Sequence, residues 1–376
     1  MSFSILIALS AALHFYIAAR LAPALPEAAG WLLALWLAVS AALTPLGLLA
    51  RRWLRPPAAD RLTWAGMLAM GLFSSLLVFT LLREVVLLGA ALAARLGVGV
   101  PAALAPDSAI AVVVLALLAT VIGLLNARRT ARVVRVDVRL APLPPALEGF
   151  RIVQISDIHV GPTIKSAYLD AIVDRVNALA PDVIAITGDL VDGSVAELAG
   201  HVAPLARLRA RHGTYFVTGN HEYYSGVHGW VAELQRLGIR VLHNEHVVLQ
   251  HEGAALVLAG VPDVSGHHYD AAHRSDPAAA LRGAPADAVK VLLAHQPRSA
   301  AAAAQAGFDL QLSGHTHGGQ FFPWSLFVPL QQPFTAGLHQ LGRMWIYVSR
   351  GTGYWGPPKR IGAPSEISEI RLAVSG

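Results

Sequence analysis

The sequence predicts about four N-terminal transmembrane α-helices followed by an α/β domain, a buried sheet covered by helices. Three observations carry that expectation. Four long apolar runs crowd into the first 125 residues. The period of the chain changes after Ala141–Ala146 (APLPPA). Beyond that point, short apolar runs end repeatedly in carboxylates, imidazoles and amides. The expected division is a helical membrane anchor over 1–135, a linker over 136–149 and the α/β domain over 150–376.

Composition sets the bounds. The 376 residues are 55% hydrophobic and 14% charged, too apolar for an average soluble protein and far too apolar to stay disordered. Residues 1–135 carry 11 Lys/Arg against 4 Asp/Glu, whereas the remainder carries 18 against 20. The net charge of +5 therefore belongs to the apolar part. The rest has no basic tract, and no nucleic-acid partner is expected. Fifteen of the 16 His lie after residue 135. The absence of Cys excludes disulfides, thiolate nucleophiles, iron–sulfur clusters and zinc ribbons.

The apolar runs are Phe3–Ala19, Trp31–Ala50, Leu62–Leu82 and Ser108–Leu125. Each is long enough to cross about 30 Å of hydrocarbon at 1.5 Å per residue, the first near the minimum. The third can continue as helix through Val85–Leu96, which only Arg83, Glu84 and Arg95 interrupt. Met1–Ser4 lacks the Lys or Arg of a signal peptide. Arg51, Arg52, Arg55 and Arg61 follow the second run, and Arg128, Arg129, Arg132 and Arg135 follow the fourth. Two spans separate these clusters, so they share a face, and the positive-inside rule makes it cytoplasmic. The expectation is a multi-pass protein of a bacterial inner membrane with its α/β domain in the cytoplasm. A pore would be marked by intramembrane charge, and within the four cores the only candidate is His14, near one end. Anchoring is the expected role.

In the second part, Arg151–Ser156 leads to Asp157 and His159, and Val183–Thr187 leads to Gly188, Asp189 and Asp192. Thr214–Thr218 leads to Gly219, Asn220, His221 and Glu222. Val289–Ala294 leads to His295, and Asp309–Ser313 to Gly314, His315 and His317. Carboxyl ends of sheet strands open into one crevice, so loops distant in sequence meet there. Carboxylate, imidazole and amide oxygen without sulfur suit Mn²⁺, Fe or Zn²⁺.

This series (Asp-x-His, Gly-Asp-x-x-Asp, Gly-Asn-His-Glu, His, Gly-His-x-His) resembles the calcineurin-like metallophosphoesterase superfamily over about Phe150–Leu372. The flanking segments, including Ala294-His295-Gln296-Pro297 and Ser349–Gly356, are similar to the bacterial membrane-associated branch, which includes UDP-2,3-diacylglucosamine pyrophosphohydrolase-like enzymes. The resemblance implies a four-layer α/β/β/α sandwich and two divalent metal ions. Asp157, His159 and His317 would hold one ion, Asn220, His295 and His315 the other, and Asp189 would bridge them. His221 would stand opposite as general acid, and Asp192 would orient a neighbour. Two such ions and two carboxylates leave a positive site for a phosphoryl group, with hydroxide as the nucleophile.

Other readings stand beside these. Asp192-Gly193 is also an ordinary turn pair, and His221 could be a third imidazole on the second ion. Glu222 could be an acid, or a solvated or His-orienting carboxylate. Arg350 and Arg360 flank Gly351–Pro358 and could meet substrate phosphate or simply be solvated. The His outside the motifs, among them His267, His268 and His273, are expected in surface loops. Gln320–Phe334, uncharged and rich in aromatics, is either core or an apolar lip beside the metals that touches the bilayer or an acyl chain. The expected function is a membrane-anchored phosphohydrolase. Its substrate would be a phosphodiester or pyrophosphate in a phosphorylated small molecule or lipid- or nucleotide-linked compound. The alternative is a membrane transporter or sensor with a regulatory phosphoesterase-like domain. Oligomeric state is not legible.

Overall fold

A computed structural model describes residues 3–374, which divide into two compact units. One holds the residues up to Arg128 together with Gly356–Ile361; the other holds Arg129–Trp355 and the chain from Gly362 onward.

The first unit is built from α1 (Phe3–Leu21), α2 (Glu27–Leu49), α3 (Ala58–Arg95) and α4 (Leu104–Arg128). All four are long and apolar enough to cross a membrane. At 1.5 Å per residue α3 is roughly 57 Å long, well beyond the hydrocarbon thickness. Small residues let the helices approach. A Cβ at Gly47 of α2 would lie 2.7 Å from the Cα of Gly66 in α3, the close packing that membrane helices use. Two buried polar side chains, His14 and Arg83, have partners. His14 bonds through Nδ1 to the Ser10 carbonyl at 2.7 Å and through Nε2 to Ser40 Oγ at 2.9 Å. The buried Arg83 guanidinium donates to Ser108 Oγ and to the carbonyls of Arg20 and Ala105. It thereby ties the end of α1 to the start of α4. Gly356–Ile361 packs with these helices: Lys359 Nζ donates to the Gly71 carbonyl and Ser75 Oγ, and Asn126 Nδ2 to the Arg360 carbonyl.

The second unit contains two six-stranded mixed sheets. The first comprises β1 (Arg132–Leu140), β2 (Arg151–Ile155), β3 (Val183–Ile186), β4 (Thr214–Phe216), β5 (Arg240–Val241) and β12 (Glu366–Val374), in the order β1-β12-β2-β3-β4-β5. The second comprises β6 (Glu245–His251), β7 (Ala254–Gly260), β8 (Val289–Leu293), β9 (Leu310–Ser313), β10 (Gly337–Leu341) and β11 (Met344–Val348), in the order β10-β11-β9-β8-β7-β6. Strands β2 to β5 run parallel, as do β7, β8 and β9. One core joins the sheets: Ile152, Val183 and Val217 on one side pack with Leu258, Val291 and Leu312 on the other. Helices α5 (Ser166–Asn177), α6 (Val195–Val202), α7 (Asn220–Tyr224) and α8 (Val227–Arg236) lie in the crossovers of the first sheet. Helices α9 (Pro277–Ala280) and α10 (Ala300–Ala306) serve the second, where Ala280, Ala300 and Ala303 pack on Leu292 and Ile346. This is the expected layering.

Two boundaries differ from the sequence reading. The span 136–149 is not a plain linker, because Arg132–Leu140 pairs in parallel with the C-terminal Glu366–Val374. Alternation in Val134–Val138 was masked by the Arg residues read as a membrane flank. The second difference is Gly356–Ile361, which belongs to the helical unit.

Candidate metal centre

Five strands deliver the site, β2, β3 and β4 parallel in the first sheet and β8 and β9 parallel in the second. Asp157 and His159 follow β2, Asp189 and Asp192 follow β3, and Asn220 and His221 open α7 just after β4. His295 follows β8, while His315 and His317 follow β9. Sharp backbone turns come two to four residues after the strands end. Asp157, His159, Asp189, His315 and His317 all have positive φ, from 50° to 71°. Such conformations cost of order 1–3 kcal/mol each and persist where surrounding structure over-determines them. Here the Asp157 and His159 amides donate to the carbonyls of Gly188 and Asp189. Two glycines are required for space: a Cβ at Gly219 would collide with the Asp189 carboxylate, and one at Gly314 with Ser156 and Asp157.

The donors form two groups, Asp157–His159–His317 and Asp189–His295–His315, and a third, His159–Asp189–His221, shares a residue with each of them. His317 Nε2 stands 3.6 Å from Asp157 Oδ1 and 3.1 Å from His159 Nε2. In the second group, His295 Nε2 is 3.2 Å from Asp189 Oδ2 and 3.2 Å from His315 Nδ1. Asp189 Oδ2 is also 4.0 Å from His159 Nε2, so this carboxylate faces both groups. The tautomers are fixed from behind. His295 Nδ1–H donates to the Thr187 carbonyl at 2.7 Å and His159 Nδ1–H to Asp192 at 3.1 Å, which leaves both Nε2 atoms as acceptors. Acceptors this close to one another need a cation or proton between them. Asp157 Oδ2 and Asn220 Oδ1 are buried with no hydrogen-bond partner. Orphaned oxygens and facing nitrogens fit a pair of divalent metal ions.

His221 lies at the edge. Its Nδ1 bonds Asp192 Oδ1 at 2.6 Å, and its Nε2 is 3.9 Å from Asp189 Oδ2. Burial opposes its charge, but Asp189 and Asp192 outweigh burial and raise its pKa to about 9. Asp192 thus serves two imidazoles, those of His159 and His221, and is more than a turn residue.

The other candidates fall differently. Glu222 is fully buried and neither solvated nor bonded to an imidazole: it accepts from the amides of Asp189, Leu190 and Gly219. Burial, followed by the Asp189 charge, raises its carboxyl to about 8. It ties the β3 loop to the β4 loop. Arg350 pairs with Glu366 at 3.0 Å. Arg360 is buried in the helical unit, neither solvated nor among the donors. One residue the sequence did not single out stands against the site: the exposed Trp355 ring packs edge-on to His221, with centroids 5.8 Å apart. The Gln320 side chain bonds both the amide and the carbonyl of Trp355 at 2.9 Å. Its signal was an aromatic inside the Gly-rich segment 351–358.

A family model described as calcineurin-like phosphoesterase matches residues 150–319, which contain all seven donors and His221. An uncharacterized metallophosphoesterase of Aquifex aeolicus is 32% identical over 65% of this chain and 93% of its own length. The chain belongs to the calcineurin-like phosphoesterase family. The chain is also 46% identical, over 72% of its own length, to 63% of a bovine transmembrane protein with metallophosphoesterase domain. A Campylobacter jejuni metallophosphoesterase is 36% identical over 66% of this chain and 64% of that protein. The chain spans just under two thirds of the length of these last two relatives.

Proposed function

We propose that the chain is a membrane-anchored phosphohydrolase that cleaves a phosphodiester or pyrophosphate bond at a two-metal centre. The observation that carries this reading is the donor set itself, with Asp157 Oδ2 and Asn220 Oδ1 buried and otherwise unsatisfied. Asp157, His159 and His317 would hold one ion, Asn220, His295 and His315 the other, and Asp189 would be shared. When bound, two divalent ions such as Mn²⁺, Fe or Zn²⁺ supply Lewis acidity and a water of lowered pKa. The protein's own part is positional and protic. Asp192 holds Nδ1 of His221, so that Nε2 faces the centre and carries the proton for the leaving oxygen. Glu222 keeps the Asp189 and Asn220 loops in register.

A lipid-linked substrate is supported by the segment after His317. Phe322, Trp324, Leu326, Phe327 and Leu330 are all exposed, on a chain with four apolar helices. A lip of this kind suits the contact of aromatics with a bilayer or an acyl chain. The two Arg clusters support a cytoplasmic position for the centre, which a C-terminal alkaline phosphatase fusion reads directly; the fusion should be inactive.

The experiment is hydrolysis of bis(p-nitrophenyl) phosphate by the full chain in detergent, after chelation and after return of Mn²⁺, Fe²⁺ or Zn²⁺. Metal-dependent turnover is expected. A folded preparation inert with every ion would turn the reading toward a transporter or sensor module.

A further inference from the structure

We propose that His228, Asp270 and His273 form a third metal site, separate from the centre above and suited to Zn²⁺. Their donor atoms lie within 4.8 Å of one another. Asp270 Oδ2 is 3.3 Å from His228 Nε2 and 3.7 Å from His273 Nε2. Ligand bonds of about 2.0–2.1 Å around a tetrahedral zinc place neighbouring donors roughly 3.4 Å apart. The free donors therefore stand close to their liganded spacing.

Each inner ligand has its other atom already committed. Asp270 Oδ1 accepts from the Ala272 amide at 2.9 Å, which caps the turn Ala271–His273 and leaves Oδ2 for the ion. His273 Nδ1 bonds the Tyr223 hydroxyl at 2.8 Å, the outer partner that fixes a metal-binding imidazole with Nε2 bare. That hydroxyl reaches His273 past Gly266, where a Cβ would come within 2.5 Å of it. The His243 ring packs on His273 with centroids 4.1 Å apart and shields one side. His228 is largely exposed at the start of α8, so the fourth position opens to water. Two imidazoles and one carboxylate favour Zn²⁺ over Mg²⁺ or Ca²⁺. His273, expected in a surface loop, lies half-buried in this cluster.

An ion here would staple the segment 266–273 to α8 and, through Tyr223, to the short helix that carries Asn220 and His221. The assignment is independent of the catalytic reading, because none of the three residues belongs to that donor set.

The test is Zn²⁺ titration of the full chain in detergent, by calorimetry and by metal analysis after desalting. Wild type should bind one equivalent more than His228→Ala, a change at a side chain exposed enough to leave folding intact. Asp189→Ala should keep that extra equivalent, and excess Mg²⁺ should not displace it. Asp270→Asn, which retains the Ala272 cap, should weaken it at least tenfold, and Tyr223→Phe by about 10–100-fold. Equal Zn²⁺ stoichiometry and affinity in wild type and His228→Ala would overturn the site. Loss of the extra equivalent in Asp189→Ala would show that it belongs to the catalytic centre.

Discussion

Along α4, Leu117, Leu118, Val121 and Ile122 are exposed, while Ala109, Val112, Ala116 and Gly123 make the buried contacts. In the two-sheet unit the pattern is inverted. Leu258, Val291 and Leu312 are buried to the last atom, and Asp, His and Asn gather where strands end. The same residue types thus occupy opposite faces. In lipid, apolar side chains gain nothing by turning inward, so small residues win the contacts. In water, burial of each large side chain is worth about 1.5–3 kcal/mol, enough to hold loops with positive φ at a polar centre. One unit spends its apolar surface on the solvent, the other on positioning.

The largest test of that division is Asp189→Ala. Turnover should fall to the uncatalysed level with loss of the shared ligand, while insertion of the four helices is unchanged; protease protection and metal analysis read both. An active variant with a full metal complement would break the division. Next comes His221→Ala, expected to cost about 10²–10⁴-fold on alkyl esters. The cost should be smaller on nitrophenyl esters, whose leaving group departs without a proton. Leaving-group dependence on a graded series measures it, and an equal loss across the series would make His221 a ligand rather than an acid.

Two substitutions of leucine then set the solvents against each other. Leu258→Ala should lower the stability of the two-sheet unit by about 2–5 kcal/mol, seen as an earlier unfolding transition. Leu118→Arg, on an exposed face, would be nearly neutral in water. In a bilayer it should disfavour insertion by about 2.5–3.5 kcal/mol, read as reduced membrane-integrated protein. If Leu118→Arg inserts as wild type does, α4 does not face lipid.

The sequence made some features legible and hid others for physical reasons. Spans of apolar residues need no partner to be recognised, and α3 continues to Arg95 just as its composition allows. The candidate donors were legible because each follows a strand and offers its own side chain. Glu222 was not: its role is to receive three backbone amides from two loops, and backbone amides leave no mark in a sequence. The pairing of Arg132–Leu140 with the C-terminal strand joins residues 234 apart, as in Arg135 with Glu369. Local pattern carries no information on such partners. The same holds for Arg360, whose Gly/Pro-rich surroundings read as a loop although the segment packs with the helices.

The shared centre itself is tested most directly by electron paramagnetic resonance of the full chain loaded with Mn²⁺ after chelation. Two ions bridged by Asp189 should give an exchange-coupled dinuclear spectrum, which Asp189→Ala abolishes. Only the isolated six-line signal of separate Mn²⁺ ions in wild type would contradict a centre in which one carboxylate serves both metals.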